Sequence, residues 1–402
     1  MKFGVGISTK SSTGEALEEA MQTAVAAMEG QSADIALIFI SPYYQVGFDQ
    51  IKLNLAEMTG AATIIGCSAQ SVIANEHEYE ENPGISITLM SLPDVEIRPF
   101  YIKQEQLEEF AHPDDIHQFL DSTLDDEASV LLFADPFTFD CITFLDLLNA
   151  AFPNRPVLGG MASGATAPGD ISLFLNRDIF HEGAVGLKLK GNLLIHSLVS
   201  QGCRPIGESL VITDAEENII RTLAGKPALS VLVGTLEKVS QRDKDLARQS
   251  IFVGRVLNEY VHQLKRGDFL IRNLIGVDRQ SGALYMNDAA ILGETIQFHV
   301  RDAESAKEDL RLMAKELKTK FEEQPIAGGL LFCCNGRGQR LFRQPDHDTS
   351  TIQQYLGPVP LGGFFCAGEI GPVGNKNYIH GLTASLALFQ PRNFKKASSK
   401  KQ

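Results

Sequence analysis

Tryptophan is absent from this chain, and Lys and Arg are outnumbered by Asp and Glu, 36 to 50. The net charge of −14 excludes broad contact with nucleic acid or an anionic membrane surface, because both need clustered cations. Small ligands stay open. No apolar run approaches the ~18 residues of a membrane span. The amino terminus, Met1-Lys2-Phe3-Gly4-Val5-Gly6-Ile7-Ser8, alternates like a strand and lacks the continuous apolar core of a secretory signal. Cysteine is scarce: Cys67, Cys141, Cys203, Cys333, Cys334 and Cys366 are irregularly spaced, mostly in apolar surroundings. That usage predicts a reduced cytoplasmic protein and not a disulfide framework.

The familiar catalytic signatures are missing as well. The chain has no Gly-x4-Gly-Lys-Ser/Thr loop, no Gly-x-Gly-x-x-Gly, no Gly-x-Ser-x-Gly elbow, no His-Glu-x-x-His and no Cys-x-x-Cys. Nucleotide-enzyme, serine-hydrolase and zinc chemistry lose support, so no catalytic residue, no cofactor and no metal are expected. Two carboxylate-histidine groups, Glu76-His77-Glu78 and Asp346-His347-Asp348, invite a metal reading. On a strand, however, each would turn its carboxylates to one side and its histidine to the other, so both are expected to be surface polar residues.

What is present is an αβ rhythm. Strand Met1 to Ser8 is followed by a helix opened by the capping box Ser12-x-x-Glu15. The apolar strand Ala33 to Ile40, a helix carrying Ile51, Leu55 and Met58, the strand end Ile64-Ile65-Gly66-Cys67-Ser68-Ala69 and a strand Ile85 to Met90 come next. About a hundred residues on, the order recurs: Val130 to Ala134, a helix with Phe144, Leu145 and Leu148, then Val157-Leu158-Gly159-Gly160-Met161-Ala162-Ser163-Gly164, then Ala184 to Leu189. A third copy runs through Ala327 to Cys334, a short helix around Ile352 and Tyr355, the element Pro360 to Pro372, and Gly381 to Leu388, preceded by a capped helix at Ser305-x-x-Glu308. Between the second and third copies, Leu229 to Val300 predicts a long helix with Leu246, Val253, Leu257, Tyr260 and Leu264, then short strands around Phe269 and Ile296; it reads as a diverged fourth unit.

The expected fold class is α/β: a two-domain protein of repeated αβ units with mixed sheets flanked by helices. One domain spans 1–225 as two units, about 1–100 and 101–225; a second spans 226–390, with the boundary at Gly225-Lys226-Pro227. Residues 391–402 form a basic flexible tail. The acidic stretch Glu105 to Glu127 is read as a solvated helical face.

Two glycine-rich clusters hold the candidate site. Cys333-Cys334-Asn335-Gly336-Arg337-Gly338 ends an apolar strand and offers a guanidinium between glycines. Those glycines permit positive φ and converging amides, while Arg337 can grip a carboxylate with two parallel bonds. Leu361-Gly362-Gly363-Phe364-Phe365-Cys366-Ala367-Gly368-Glu369 carries one carboxylate in apolar surroundings, suited to an ammonium. Ligand-binding residues are therefore placed at Asn335, Gly336, Arg337, Gly338, Gly363, Cys366, Gly368 and Glu369, with Cys67, Ser68 and Ser163 as weaker members. Arg337 and Glu369 together suit a zwitterion such as an amino acid; the alternative is that they pair with each other.

These motifs resemble the FIST family, whose members carry FIST N and FIST C domains. The carriers are Ile65-Gly66-Cys67-Ser68, Gly159-Gly160-Met161-Ala162-Ser163, Gly183-Ala184-Val185-Gly186, Arg272-Asn273-Leu274-Ile275-Gly276-Val277-Asp278, Cys334-Asn335-Gly336-Arg337-Gly338, and Gly363 with Gly368-Glu369-Ile370. The resemblance implies sensing of small ligands, amino acids among them, and coupling to signalling partners or, in eukaryotic relatives, an F-box. The chain starts at the first FIST strand and leaves no segment for such a module, so a separate signalling protein is the expected partner. Where the family's first motif continues Thr-Ala-Gly-Glu, this chain reads Ala69-Gln70-Ser71-Val72, which shifts the candidate pocket to the carboxyl-terminal copy. The expectation is a cytoplasmic sensor of a small metabolite. The alternatives are a cysteine-dependent enzyme of acyl or amide chemistry using Cys67 or Cys366, and a protein-binding scaffold.

Overall fold

A computed structural model describes residues 1–47, 59–123, 127–261, 263–321 and 326–393. The expected helix with Ile51, Leu55 and Met58 and the basic tail from Lys395 lie outside the described residues. The chain forms two compact units. One takes Met1–Val199, Arg311–Ile379 and the chain from Ala384; the other takes Ser200–Leu310 with His380–Thr383.

The first unit opens with β1 (Lys2–Ser8), the helix Thr13–Ala27, and the parallel pair β2 (Ile35–Ile40) and β3 (Thr63–Ser68). β2 reads Ile-Ala-Leu-Ile-Phe-Ile and is buried throughout, as a strand covered on both faces must be. A hairpin of β4 (Val72–Ala74) and β5 (His77–Tyr79) leads to β6 (Ile85–Ser91), which returns antiparallel between β1 and β2. The layout then repeats: β7 (Val95–Ile102), parallel β8 (Ser129–Ala134) and β9 (Val157–Met161) around the helix Cys141–Ala151, hairpin β10 (Leu173–Leu175) and β11 (Asp178–Phe180), and antiparallel β12 (Ala184–Gly191). The acidic stretch supplies two short helices here, Gln104–Glu108 and Pro113–Phe119.

After β13 (Leu194–Gln201) the chain builds the second unit. Its strands are β14 (Cys203–Glu216), β15 (Ile219–Leu223), β16 (Lys226–Pro227), β17 (Ile251–Val256), β18 (Phe269–Val277), β19 (Leu284–Met286) and β20 (Thr295–Arg301). They run in the order β14-β20-β17-β18-β19-β15-β16, and β14 pairs again with β15. Six antiparallel strands thus close into a barrel filled by Ile206, Val253, Leu284, Ile296, Phe298 and Val300.

The expected long helix is not formed. Leu246 lies in the helix Gln241–Gln249, but Val253 lies in β17. A helical period can be drawn across Ser250 into Ile251-Phe252-Val253, but their β-branched and aromatic side chains favour the pleated wall of a barrel. The stretch is accordingly no fourth αβ unit. Gly225 falls in the turn between β15 and β16.

The third αβ layout resumes with the helix Ala303–Lys320 and continues with β21 (Gly328–Cys334), the helices Gly338–Phe342 and His347–Leu356, and β22 (Leu361–Cys366), parallel to β21. Hairpin β23 (Gly368–Val373) and β24 (Lys376–His380) and antiparallel β25 (Thr383–Gln390) complete it.

The three sheets are β1-β6-β2-β3-β10-β11, β7-β12-β8-β9-β23-β24 and β13-β25-β21-β22-β4-β5. Each ends on a hairpin lent by another αβ unit, in a closed exchange. At equivalent register positions Ile38 faces Gly66, Leu132 faces Gly159 and Leu331 faces Gly363. A Cβ on these glycines would stand 1.8, 1.9 and 1.9 Å from the carbonyl oxygen opposite, so only glycine allows the strands to approach. The next residues, Phe39, Phe133 and Phe332, meet in the core: Phe39 and Phe133 edge to face at 5.3 Å, Phe133 and Phe332 at 6.2 Å. Opposite them stand Cys67, Gly160 and Phe364, and the Phe364 ring stacks on Phe39 at 4.6 Å.

Candidate functional site

The strand ends of β3, β9 and β22 are tied to one another. Ser163 N donates to Ser68 O (3.1 Å), Ala367 N to Met161 O (3.0 Å) and Phe365 N to Ser71 O (2.9 Å). The Ser163 hydroxyl accepts from Gln70 N (2.8 Å) and donates to Phe365 O (2.5 Å). Ser68 and Ser163 are thus connectors between strand ends, and Asn335 N joins the third of these ends by donating to Cys366 O (3.0 Å). Gly363 and Gly368 are buried backbone positions in the sheets, opposite Leu331 and Met161.

Cys67, Cys333 and Cys366 are buried, and burial pushes all three thiols well above their ordinary range. A nucleophilic cysteine needs the opposite shift. Glu369 is fully buried in β23 opposite Gly160, at the register position that Val72 and Leu173 hold in the hairpins of the other two units.

Arg337 has a different carboxylate from the one expected. It is fully buried, and its Nε and Nη2 donate to Asp348 Oδ2 (2.6 Å) and Oδ1 (2.9 Å), the bidentate fork its planar geometry allows. Its Cζ lies 5.2 Å from the Phe342 ring centre. Asp348 also meets His347 Nδ1 (2.9 Å) and the Cys333 thiol (3.6 Å), while the His347 ring stacks on Phe342 at 3.6 Å. Despite its burial the Asp348 carboxyl is held well below its usual range, with the Arg337 guanidinium the main opposing cause.

The two carboxylate-histidine groups expected at the surface come together here. Glu78 Oε1 accepts from Asp348 N (2.8 Å) and Thr349 N (2.9 Å), capping the helix His347–Leu356, whose own N-cap, Asp346, makes no side-chain cap bond. Asp346 instead reaches back, Oδ1 accepting from Glu78 N (2.7 Å) and Oδ2 meeting His77 Nδ1 (3.3 Å). Loop geometry allows what strand alternation forbade: the helix N-terminus turns Asp348 inward to Arg337 and Asp346 outward to β5. Burial, reinforced by Asp348, pushes the Glu78 carboxyl up to about 8. Glu78 Oε2, Arg337 Nη1 and Asn335 Oδ1 are buried without a hydrogen bond among the described residues. Among the described residues no group of three potential ligands could hold a metal ion.

A cleft of about 330 Å³ adjoins this cluster, lined by Glu80, Glu81, Gln339, Arg340 and Arg343. Gln339 N donates to both Glu80 oxygens (2.9 and 3.1 Å), and burial raises the Glu80 pKa. Gly338 makes this possible: at φ +57°, its Cβ would stand 2.4 Å from the Glu80 carboxylate. Arg340 Nη2 pairs with Glu81 (2.8 Å), whereas Arg343 makes no ion pair among the described residues. The composition of this cleft was hidden from the sequence, because it joins a hairpin of the first αβ unit to a helix of the third.

Repeated mixed αβ sheets with glycine-filled strand ends, together with a separate antiparallel barrel, define a two-domain α/β protein with a polar cleft. The chain belongs to the FIST family: residues 34–226 match the FIST N domain and residues 228–372 the FIST C domain. FIST domains are small-ligand sensory and signal-transduction domains, and this chain is a member of that class. An uncharacterised protein of Mycobacterium tuberculosis is 37% identical over 97% of this chain and 100% of its own length, and one of Mycobacterium bovis 35% identical over 97% and 99%. An F-box/LRR-repeat protein of Arabidopsis thaliana is 34% identical over 82 residues, 20% of this chain and 16% of its own. Among the described residues no helix is long and apolar enough to cross a membrane.

Proposed function

We propose that this protein is a cytoplasmic sensor that binds a zwitterionic metabolite, of the amino-acid class, and relays its occupancy to a separate signalling protein. The observation that carries this reading is a cleft in which Arg343 has no ion pair among the described residues and Glu80 is held only by the Gln339 amide, beside a buried ion cluster. Arg343 takes the ligand carboxylate and Glu80 its ammonium, flanked by the Arg340–Glu81 pair. Arg337 acts from beneath as a positioning residue: with Asp348 and Glu78 it fixes the turn that presents Gly338 and Gln339. Asn335, whose N donates to Cys366 O, ties the start of that turn to the end of β22. The buried, upshifted thiols favour this reading over a cysteine enzyme.

Calorimetry of the full chain against the L-amino acids, their keto acids and their decarboxylated amines tests it. Binding is expected for at least one zwitterion over both analogues, weakened tenfold or more by Arg343→Gln and by Glu80→Gln. A panel without a binder, or binding indifferent to both substitutions, removes the cleft from consideration.

A further inference from the structure

The barrel unit holds a cavity that the proposed sensor site does not use. Its volume is about 490 Å³, within the roughly 300–1,000 Å³ of small-molecule sites. It opens between β14, the β15–β16 turn and the helix Ala228–Lys238.

The walls are specifically shaped. β14 bulges at the cavity: Gly207, Glu208 and Ser209 together oppose the single residue Gln297, since Ile206 pairs with Phe298 and Leu210 with Ile296. Gln297 fixes the bulge, Nε2 donating to Gly207 O (2.7 Å) and Oε1 accepting from Ser209 Oγ (3.4 Å). Gly207 has φ +68°, and a Cβ there would stand 2.4 Å from Thr235 Cγ2, so glycine lets the helix close against the bulge. The helix has two working faces. Ala228 and Leu232 enter the barrel core, while Val231, Gly234, Thr235 and Lys238, at i, i+3, i+4 and i+7, line the cavity. Glycine is a poor helix former, yet Gly234 sits mid-helix with nothing within 4 Å of a would-be Cβ. Its missing side chain is cavity space.

The charges are unspent. The solvent-exposed side chains of Lys226, Lys238 and Glu208 line the cavity and make no ion pair or hydrogen bond among the described residues. The part-buried cations Arg204, Arg255 and Arg272 of the same unit are all paired, with Asp302 and Asp243, with Glu294 and Asp288, and with Asp288. Two ammonium groups against one carboxylate leave a local positive surplus in a chain of net charge −14. Between them the lining is aliphatic, from Leu210, Leu223 and Val231.

We infer that this cavity binds an amphipathic organic anion, its acid group held between Lys226 and Lys238 and its apolar body laid against Leu210, Leu223 and Val231. The site is independent of the cleft in the first unit, and either can fail alone.

The test is a fluorescence titration of the full chain with 8-anilinonaphthalene-1-sulfonate, competed by hexanoate and by hexanol. One saturable site is expected, displaced by hexanoate at least tenfold more effectively than by hexanol. Lys226→Gln with Lys238→Gln should weaken the probe tenfold or more, Gly234→Leu should abolish the saturable phase, and Arg343→Gln should leave it within twofold of wild type. Gly234→Ala, which a helix accommodates readily, guards against misfolding of the leucine variant and should weaken the probe about threefold with an unchanged melting profile. No saturable phase, equal competition by hexanol, or retention within twofold in both the double-lysine and Gly234→Ala variants overturns the proposal.

Discussion

The two units handle charge in opposite ways. In the αβ unit a guanidinium and a carboxylate are sealed in the interior as Arg337–Asp348, where neither has access to water. In the barrel unit Arg255 and Arg204 sit part-buried in branched networks, Arg255 bridging Asp288 and Glu294 and Arg204 bridging Asp243 and Asp302. Residues 200–310 are nearly balanced, with 14 Lys and Arg against 16 Asp and Glu, so most of the net −14 belongs to the αβ unit. The unit with the larger surplus of acid therefore buries its cation deepest. A sealed pair tolerates no loss of a partner, whereas a wet network can rearrange.

The comparison is broken most directly at its two arginines. Arg337→Ala leaves Asp348 buried without its cation and should destabilise the αβ unit by ~3–5 kcal/mol. Arg255→Ala should cost the barrel only about 1–3 kcal/mol, because its carboxylates can turn to water. Hydrogen exchange in denaturant reads the units separately, and equal losses would show that the burial contrast has no energetic meaning. Glycine substitutions should differ next. Gly159→Ala drives a Cβ to 1.9 Å from Leu132 O, backbone that cannot yield, and should cost about 3 kcal/mol or more. Gly293→Ala in the barrel, at φ +89° in open space, should cost only ~1–2 kcal/mol in chemical denaturation. A reversed order would refute the close-approach role of the strand-end glycines.

Acidity should separate the units by sign. Glu78 ionises near 4.5 unfolded and at about 8 in the fold, so between these values the folded αβ unit holds the extra proton. Its contribution is full below pH 4.5 and is lost as pH rises to 8, at up to about 1.4 kcal/mol per pH unit. Burial pushes His299 in the barrel the other way, from 6.5 down to about 4, so its contribution is present above 6.5 and lost as pH falls to 4. Exchange protection of the two units between pH 5 and 7.5 should drift in opposite directions, and Glu78→Gln should flatten the αβ trend; parallel drifts would contradict both shifts. Smallest of all is the thiol effect: iodoacetamide mass mapping near neutral pH should find Cys67, Cys333 and Cys366 slow and half-buried Cys334 fastest. Rapid labelling of Cys366 would reopen the enzyme reading.

What the residues disclosed was local. The parallel pairs announced themselves through apolar runs ending in glycine, because a strand buried on both faces must be apolar and a close approach must lack Cβ. The barrel stayed hidden because its helices and strands abut: the single residue Ser250 separates Gln249 at the end of a helix from Ile251 at the start of a strand, and a 3.6-residue pattern can be drawn straight through. Arg337 stood out in the sequence as a cation between glycines. Its partner did not, since Asp348 was legible only as one of two acids flanking a histidine, and its inward turn depends on Glu78 some 270 residues earlier.

The lent hairpins also set a timetable. During synthesis the β4–β5 pair emerges early, yet the strand it must join, β22, is made only when residues 361–366 leave the ribosome. At ~5–20 residues per second that is a wait on the order of tens of seconds, with β4 and β5 short of their sheet throughout. The brevity of the two strands, three residues each, and the charges around His77 suit a segment that must stay sociable to one late partner while refusing every earlier one.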